Sequence, residues 1–100
     1  LADLPRPVDG CEPAWHLYVV RHERADELAA ALKTAGIGHK AYYRVPVHRQ
    51  PAMLEYGRDL DLPGTDEVAR THLAIPISPV LDRDQAEEVA AAARAAVVPA

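Results

Sequence analysis

Residues Trp15–Gly38 read WHLYVVRHERADELAAALKTAGIG, and this stretch decides the fold class. Trp15 to Arg21 is rich in aromatic and β-branched residues, which suit a pleated surface, and predicts a strand. Its apolar run is almost unbroken, the pattern of a strand buried on both faces. Arg24 to Ala35 predicts a helix. Leu28, Ala31, Leu32 and Ala35 recur at i, i+3, i+4 and i+7 and form one apolar face. Asp26 and Glu27 fall in the first turn and Lys33 in the last, as the helix dipole favours. Gly36 supplies a C′ stop. A strand feeding an amphipathic helix that ends on glycine suits the opening of a layered α+β domain.

Toward the N-terminus, Leu1 to Pro13 carries Pro5, Pro7, Gly10 and Pro13 and predicts an irregular lead-in. Downstream, Ile37 to Val47 predicts an extended segment, because Tyr42, Tyr43, Val45 and Val47 favour strands. Pro46 cannot donate to a ladder, so the strand should end before it. Pro51 to Tyr56 predicts a short helical turn and Gly57 to Gly64 a polar loop. Thr65 is placed as the N-cap of a helix to about His72, with Asp66 and Glu67 in its first turn. Leu73 to Ile77 predicts a short strand interrupted by Pro76. Asp82 caps a last helix with Gln85 at N3, in capping-box spacing. Ala86, Val89, Ala90 and Ala93 share one face of that helix, which runs to about Val97 before Pro99. Three short strands and three helices in alternation predict an α+β domain, a small and mostly antiparallel sheet with helices packed on it.

Composition sets the limits. One hundred residues make one domain. Hydrophobic residues are 49% of the chain but lean on Ala, Phe is absent, and Trp15 is the single tryptophan. Ala covers little area, so the core should be thin, with an apolar face left for another domain or chain to complete. The net charge of −4 argues against a nucleic-acid footprint, which needs clustered positive charge. No apolar run approaches the roughly 20 residues of a membrane span. The first residues are polar and Pro-rich, unlike a signal peptide. Cys11 is alone and cannot form an internal disulfide, so a reducing, cytoplasmic setting is the default expectation. The chain opens on Leu1, without an initiator Met, as a piece of a longer protein would.

The chemically unusual segment is Ile37 to Met53, IGHKAYYRVPVHRQPAM. Two tyrosines, two arginines and a histidine fall within the eight residues Tyr42–Arg49. Phenol, imidazole and guanidinium donors on a strand end running into a loop suit a phosphate or another polar anion. The plainer reading is a packing tyrosine with a wet hydroxyl and an exposed loop histidine. Of the other histidines, His16 is expected half-buried and hydrogen-bonded in the first strand. His22 and His39 are expected solvated, and His72 sits near a helix C-terminus, where a cation is favoured. No histidine or carboxylate pair has zinc spacing, and one Cys cannot build a sulfur site. No Gly-rich phosphate loop is present, and Ser78, the single serine, lacks a nucleophile-elbow context. The charges from Arg21 to Glu27 read as a solvated helix start. Asp59, Asp61, Asp66 and Glu67 read as loop and cap carboxylates, with no partner that would mark acid–base work.

Three segments together resemble the C-terminal domain of the DegT/DnrJ/EryC1/StrS family of sugar aminotransferases. WHLYVVR with ADELAAALKTAGIG resembles the family's HLYV strand, helix and AGIG turn. YYRVPVHRQPAM is similar to its H-Y-x-V-P-x-H-x-Q-P-A-Y segment. LPGTDEVARTHLAIPISPVLDRDQ resembles its LP, acidic helix and L-x-L-P-x-x-P-x-L-x-x-x-Q close. The match runs over about residues 15–95.

The resemblance implies a fold-type I aminotransferase whose large domain binds pyridoxal phosphate on a lysine. Residues 1–14 would then be a linker from that domain and 15–100 the C-terminal small domain. It implies a homodimer acting on a nucleotide-linked keto-sugar, with glutamate as the amino donor. It places no catalytic residue in this chain and no metal. Carried over by position, Tyr43 and His48 would contact the substrate near its phosphates, with Tyr42, Arg44, Arg49 and Gln50 as neighbours. Three departures bear on substrate choice: Tyr42 stands where the family often has His, Arg44 where it often has Pro, and Met53 replaces an aromatic. Lys33 and Lys40, the only lysines, lie outside anything like the family's lysine motif, so the chain alone should be inactive. Two related enzymes share this domain pattern, a sugar dehydratase lacking the lysine and a synthase of an amino-bearing aromatic precursor. A stand-alone α+β binding module is the alternative from outside enzymology.

Overall fold

A computed structural model of the chain describes residues 3–98. It is an α+β domain. Strand β1 (Tyr18–Arg21) leads into helix α1 (Ala25–Thr34). An irregular crossing follows, then two 3₁₀ turns (Val47–Arg49 and Pro51–Met53) that run into the single-turn helix α2 (Leu54–Gly57). Helix α3 (Pro63–Thr71), strand β2 (His72–Ile75) and helix α4 (Arg83–Val97) complete it.

Strands β1 and β2 pair antiparallel in the register Tyr18↔Ile75, Val19↔Ala74, Val20↔Leu73 and Arg21↔His72. Single bridges extend the ribbon at both edges, Asp3↔Arg21 beside β1 and Lys40↔Ala74 beside β2. A two-stranded ribbon is marginal by itself in water. Its stability comes from the helices on one face. Val20 and Leu73 are directly opposed there and meet Leu28 and Leu32 of α1 and Val89 of α4 in one buried cluster. Full burial of Leu28, Leu32 and Leu73 contributes roughly 1.5–3 kcal/mol each.

The helix ends follow the expected chemistry where the residues are specific. Gly36 adopts φ +72°, the left-handed region open to glycine at little cost. Its N–H donates to Lys33 O at 3.1 Å, and Ile37 N–H donates to Leu32 O at 2.9 Å. That pair of bonds is a Schellman motif. At α4, Gln85 N–H donates to Asp82 Oδ1 at 2.8 Å and Asp82 N–H donates to Gln85 Oε1 at 3.1 Å, a complete capping box. Pro99 lies outside the described residues.

Several expectations are corrected. The first strand begins at Tyr18, not Trp15, because Trp15 holds φ +50°, outside the β region. Its ring lies 5.4 Å from that of Tyr18. β1 is half-buried along most of its length, not buried on both faces. Ile37–Val47 contributes one bridge at Lys40 and no strand, since beyond Lys40 the chain turns away from β2. Helix α3 starts at Pro63, two residues before Thr65, with Leu62 at the N-cap. Proline at N1 sets the first helical φ and lacks only an N–H that would have had no partner there. The loop expected over 57–64 shrinks to 58–62. His72 opens β2 directly and Pro76 follows its end. His16 is exposed, whereas His22 and His39 are half-buried.

The thin core is visible as space. An apolar cavity of about 440 Å³ opens between α4 and the sheet, bordered by Val20, Ile75, Val89 and Val97. Ala86, Ala90 and Ala93 line its α4 side and are too short to fill it. Among the described residues no helix is long and apolar enough to cross a membrane.

Candidate functional site

The segment after the Lys40 bridge carries the chemistry picked out in the sequence. Tyr42 and Tyr43 are both exposed, Tyr43 at 57%, with their rings 5.9 Å apart and edge to face. The Lys40 ammonium stands 5.5 Å from the centre of the Tyr42 ring, within cation–π range. The two tyrosines form one wall of an open groove of about 450 Å³. Val47 continues that wall, and Thr65, Val68 and His72 line the groove from α3 and the start of β2.

The cations expected to meet an anion are engaged within the domain. Arg44 Nε donates to Asp26 Oδ1 at 3.0 Å, and its Nη1 donates to the carbonyls of Ala69, at 3.0 Å, and His72. Arg49 pairs with Asp66 at 2.7 Å. Gln50 Nε2 donates to Val45 O at 3.2 Å. Glu67 accepts from Arg21 at 3.0 Å. The reason for these pairings is tertiary: α3 runs beside both the 42–50 segment and the end of β1.

His48 and His72 are the buried histidines, at 8% and 3% exposure. His72 Nδ1 lies 2.6 Å from Val68 O. A carbonyl only accepts, so Nδ1 carries the proton and donates it. Its 3.3 Å approach to Arg44 Nη1 is then a contact between two donors. This tautomer leaves Nε2 as an acceptor, and among the described residues it has no partner. His48 Nε2 is likewise buried without a partner among the described residues. Its imidazole borders a second hollow, of about 340 Å³, with Met53, Tyr56 and Leu62.

Tyr42, Tyr43 and the buried His48 thus lie on one stretch of chain, while Arg44, Arg49 and Gln50 brace it. Reasoning from sequence missed Asp26, Asp66, Thr65 and His72 as its structural partners. Arg44 and Asp26 are 18 residues apart and Arg49 and Asp66 are 17 apart, so no local periodicity pairs them. A faint signal existed: both aspartates lie in first helical turns close to an Arg-rich segment.

These residues do not make a cofactor or metal site. Lys33 and Lys40 are exposed, and neither lines the groove, the hollow beside His48 or the α4 cavity. No cluster of metal-ligating side chains occurs among the described residues.

Residues 2–94 match the family model for the DegT/DnrJ/EryC1/StrS aminotransferase family. The chain belongs to that family. It is 42% identical over 92 residues to a dTDP-3-amino-3,4,6-trideoxy-alpha-D-glucose transaminase of Streptomyces venezuelae, covering 91% of this chain and 24% of that protein. It is 36% identical over 93 residues to the erythromycin biosynthesis sensory transduction protein EryC1 of Saccharopolyspora erythraea, covering 92% of this chain and 25% of that one. The crystal structure of S. venezuelae DesV in complex with a ketimine intermediate superposes with a TM-score of 0.90 at 38% identity. That superposition covers 99% of this chain and 27% of DesV. The chain therefore spans about a quarter of the length of the relatives it matches. In this DegT/DnrJ/EryC1/StrS domain the ribbon, α1 and α4 are the scaffold, and the tyrosine-bearing segment is the exposed element they carry.

Proposed function

We propose that this chain is the small C-terminal domain, with residues 1–14 as its linker, of a sugar aminotransferase that holds pyridoxal phosphate on its other domain. The substrate is a nucleotide-linked keto-sugar, of the dTDP-linked class named in the S. venezuelae relative, and glutamate donates the amino group. The parent works as a cytoplasmic homodimer. Cofactor chemistry requires a Schiff-base lysine and an acidic partner for the pyridine nitrogen. Since the residues here do not fit those roles, the chain alone is inactive and contributes shape and contacts.

One observation carries the reading. The exposed Tyr42–Tyr43 pair lies on the YYRVPVHRQPAM segment of a domain that aligns over 91% of its length with 24% of the length of the S. venezuelae transaminase. Tyr43 meets the substrate with its ring and hydroxyl, and Tyr42 extends the same wall. His48, a substrate contact by the family pattern, is buried beside the neighbouring hollow that Met53 and Tyr56 line, and would reach the sugar from there. Arg49 and Gln50 hold the chain that presents it, through Asp66 and Val45.

The test uses the full-length protein with pyridoxal phosphate, glutamate and a dTDP-linked keto-sugar. The expected result is an amino sugar formed with 2-oxoglutarate in equal amount, and an isolated domain that does neither. Loss of water from the sugar without amine incorporation would instead assign the parent to dehydration. Binding of an unrelated ligand by the isolated domain, with no transfer by the full-length protein, would overturn the reading.

A further inference from the structure

Arg44 lies at the centre of the presenting segment, yet its side chain turns inward. We propose that Arg44 is a positioning residue: bonded to Asp26 and to the C-terminal carbonyls of α3, it fixes the Tyr42–Tyr43 wall against the groove. This rests on the proposed role of Tyr43 and adds a residue that acts through it.

The backbone makes the case first. Lys40 exchanges both ladder bonds with Ala74, at 3.0 and 2.7 Å, and the next backbone bond along the chain is Arg49 N–H to Pro46 O at 2.9 Å. Among the described residues, no backbone–backbone hydrogen bond involves Ala41 to Val45. The wall is thus a span without a ladder, and its position is set by what its side chains hold. The tyrosine side chains are largely exposed and hold it only weakly. Gln50 secures it at Val45. Arg44, adjacent to Tyr43, is the other anchor, and it reaches three elements at once.

The partners suit a guanidinium. Asp26 lies in the first turn of α1, and Ala69 in the last turn of α3, where carbonyls lack intrahelical partners. A cation beside a helix C-terminus is favoured by the helix dipole, and the fork geometry of arginine serves several acceptors together. Arg44 is 29% exposed and Asp26 is 86% exposed, so the ion pair lies at the rim and the carbonyl bonds deeper. The rim pair and the deeper carbonyl bonds hold the guanidinium together, so loss of the carboxylate slackens the anchor without releasing it.

Direct phosphate contact by Arg44 is the competing role, and Asp26 separates the two. If Arg44 touched the substrate, removing the carboxylate would free the guanidinium and KM would stay or fall. If Arg44 positions the wall, removing the carboxylate slackens it and KM rises.

The experiment uses the full-length enzyme carrying this domain, with steady-state kinetics on the nucleotide-sugar for Arg44→Ala, Arg44→Lys, Asp26→Asn and Tyr43→Ala. Thermal unfolding of each variant accompanies the assay. Arg44→Ala is expected to raise KM about tenfold with kcat within about threefold, the signature of lost binding geometry. Arg44→Lys is expected to recover part of the loss, since an ammonium reaches fewer of the acceptors. Asp26→Asn, at an exposed site that should not impair folding, is expected to raise KM about two- to fivefold, consistent with a rim ion pair. KM unchanged or lowered in Asp26→Asn, while Arg44→Ala raises it, would assign Arg44 to the substrate and overturn the proposal. KM unchanged in both, with Tyr43→Ala raising it, would overturn the anchor and leave the wall standing. KM unchanged in Tyr43→Ala would remove the wall, and the positioning role with it.

Discussion

Gly57 packs against His48 so closely that a Cβ at position 57 would stand 2.8 Å from the His48 Cβ and 2.9 Å from its carbonyl carbon. The obstacle is largely backbone, which cannot rotate aside. Gly57 itself is buried, at the end of α2, where that short helix folds back over the 3₁₀ turn containing His48. Gly57→Ala must therefore push α2 off the turn, and overpacking of this kind typically costs about 1–3 kcal/mol. Urea unfolding of the variant should show the loss. An unchanged midpoint would mean that the contact relaxes without cost.

The core prediction follows from the narrow cluster under the ribbon. Leu32 has no exposed surface and sits among Val20, Leu28, Leu73 and Val89. Leu32→Ala should cost roughly 2–5 kcal/mol, because the small neighbours on α4 offer little to refill the space. A domain of ordinary stability has only about 5–15 kcal/mol in total. Val80→Ala, at a residue 85% exposed, is the matched control and should stay within about 0.5 kcal/mol. Denaturant midpoints measured side by side check both. Equal effects would contradict this placing of the core.

The capping box offers a two-residue test. Asp82→Ala removes the acceptor for Gln85 N–H at the start of α4 and should cost about 1 kcal/mol. Gln85→Ala leaves Asp82 N–H to water at an exposed site and should cost less. Because the two bonds share one turn, the double variant should lose less than the sum of the singles. Thermal unfolding of the three variants measures the coupling, and strict additivity would argue that the bonds act independently.

These tests also mark where the sequence was readable. Gly36, Asp82 with Gln85, and Leu28 with Leu32 are local signals, each set by a spacing of a few residues, and the structure places them where that chemistry requires. Such signals predict β, α, β, α, β, α with a small antiparallel sheet, and the structure keeps that order apart from the middle strand. Trp15 misled because aromatic propensity says nothing of a left-handed φ at the strand entry. The third strand dissolved for a tertiary reason: beyond Lys40 no backbone pairing follows, and Arg44 is bonded to the end of α3, elsewhere along the chain. At the candidate site the residue types of Tyr42 to Gln50 stood out, but their directions did not. Exposed Tyr43, inward Arg44 and buried His48 cannot be told apart by composition, because all three are fixed by α1, α2 and α3 packing around them.

The last prediction concerns the start of α1. The Arg24 side chain forms a hydrogen-bonded ion pair with Glu27, one helical turn on. The hydrogen bond from Arg24 holds the Glu27 carboxyl below the usual glutamate range, desolvation opposes it, and the charges of Arg24 and His22 add to the lowering. The sign for stability follows. A carboxylate whose folded pKa lies below its unfolded value of about 4.3 favours folding above that value, and the contribution fades as pH falls through the folded pKa. Both side chains are exposed to solvent, so salt should weaken the pair. A carbon-detected NMR titration of Glu27 should give a midpoint below that of an unpaired glutamate. Arg24→Ala should return it to the ordinary range, and 1 M salt should move it part of the way, since screening then acts within about 3 Å. A Glu27 midpoint that ignores Arg24→Ala would show that the pair does not form in solution, and the acid side of the stability profile would then owe nothing to it.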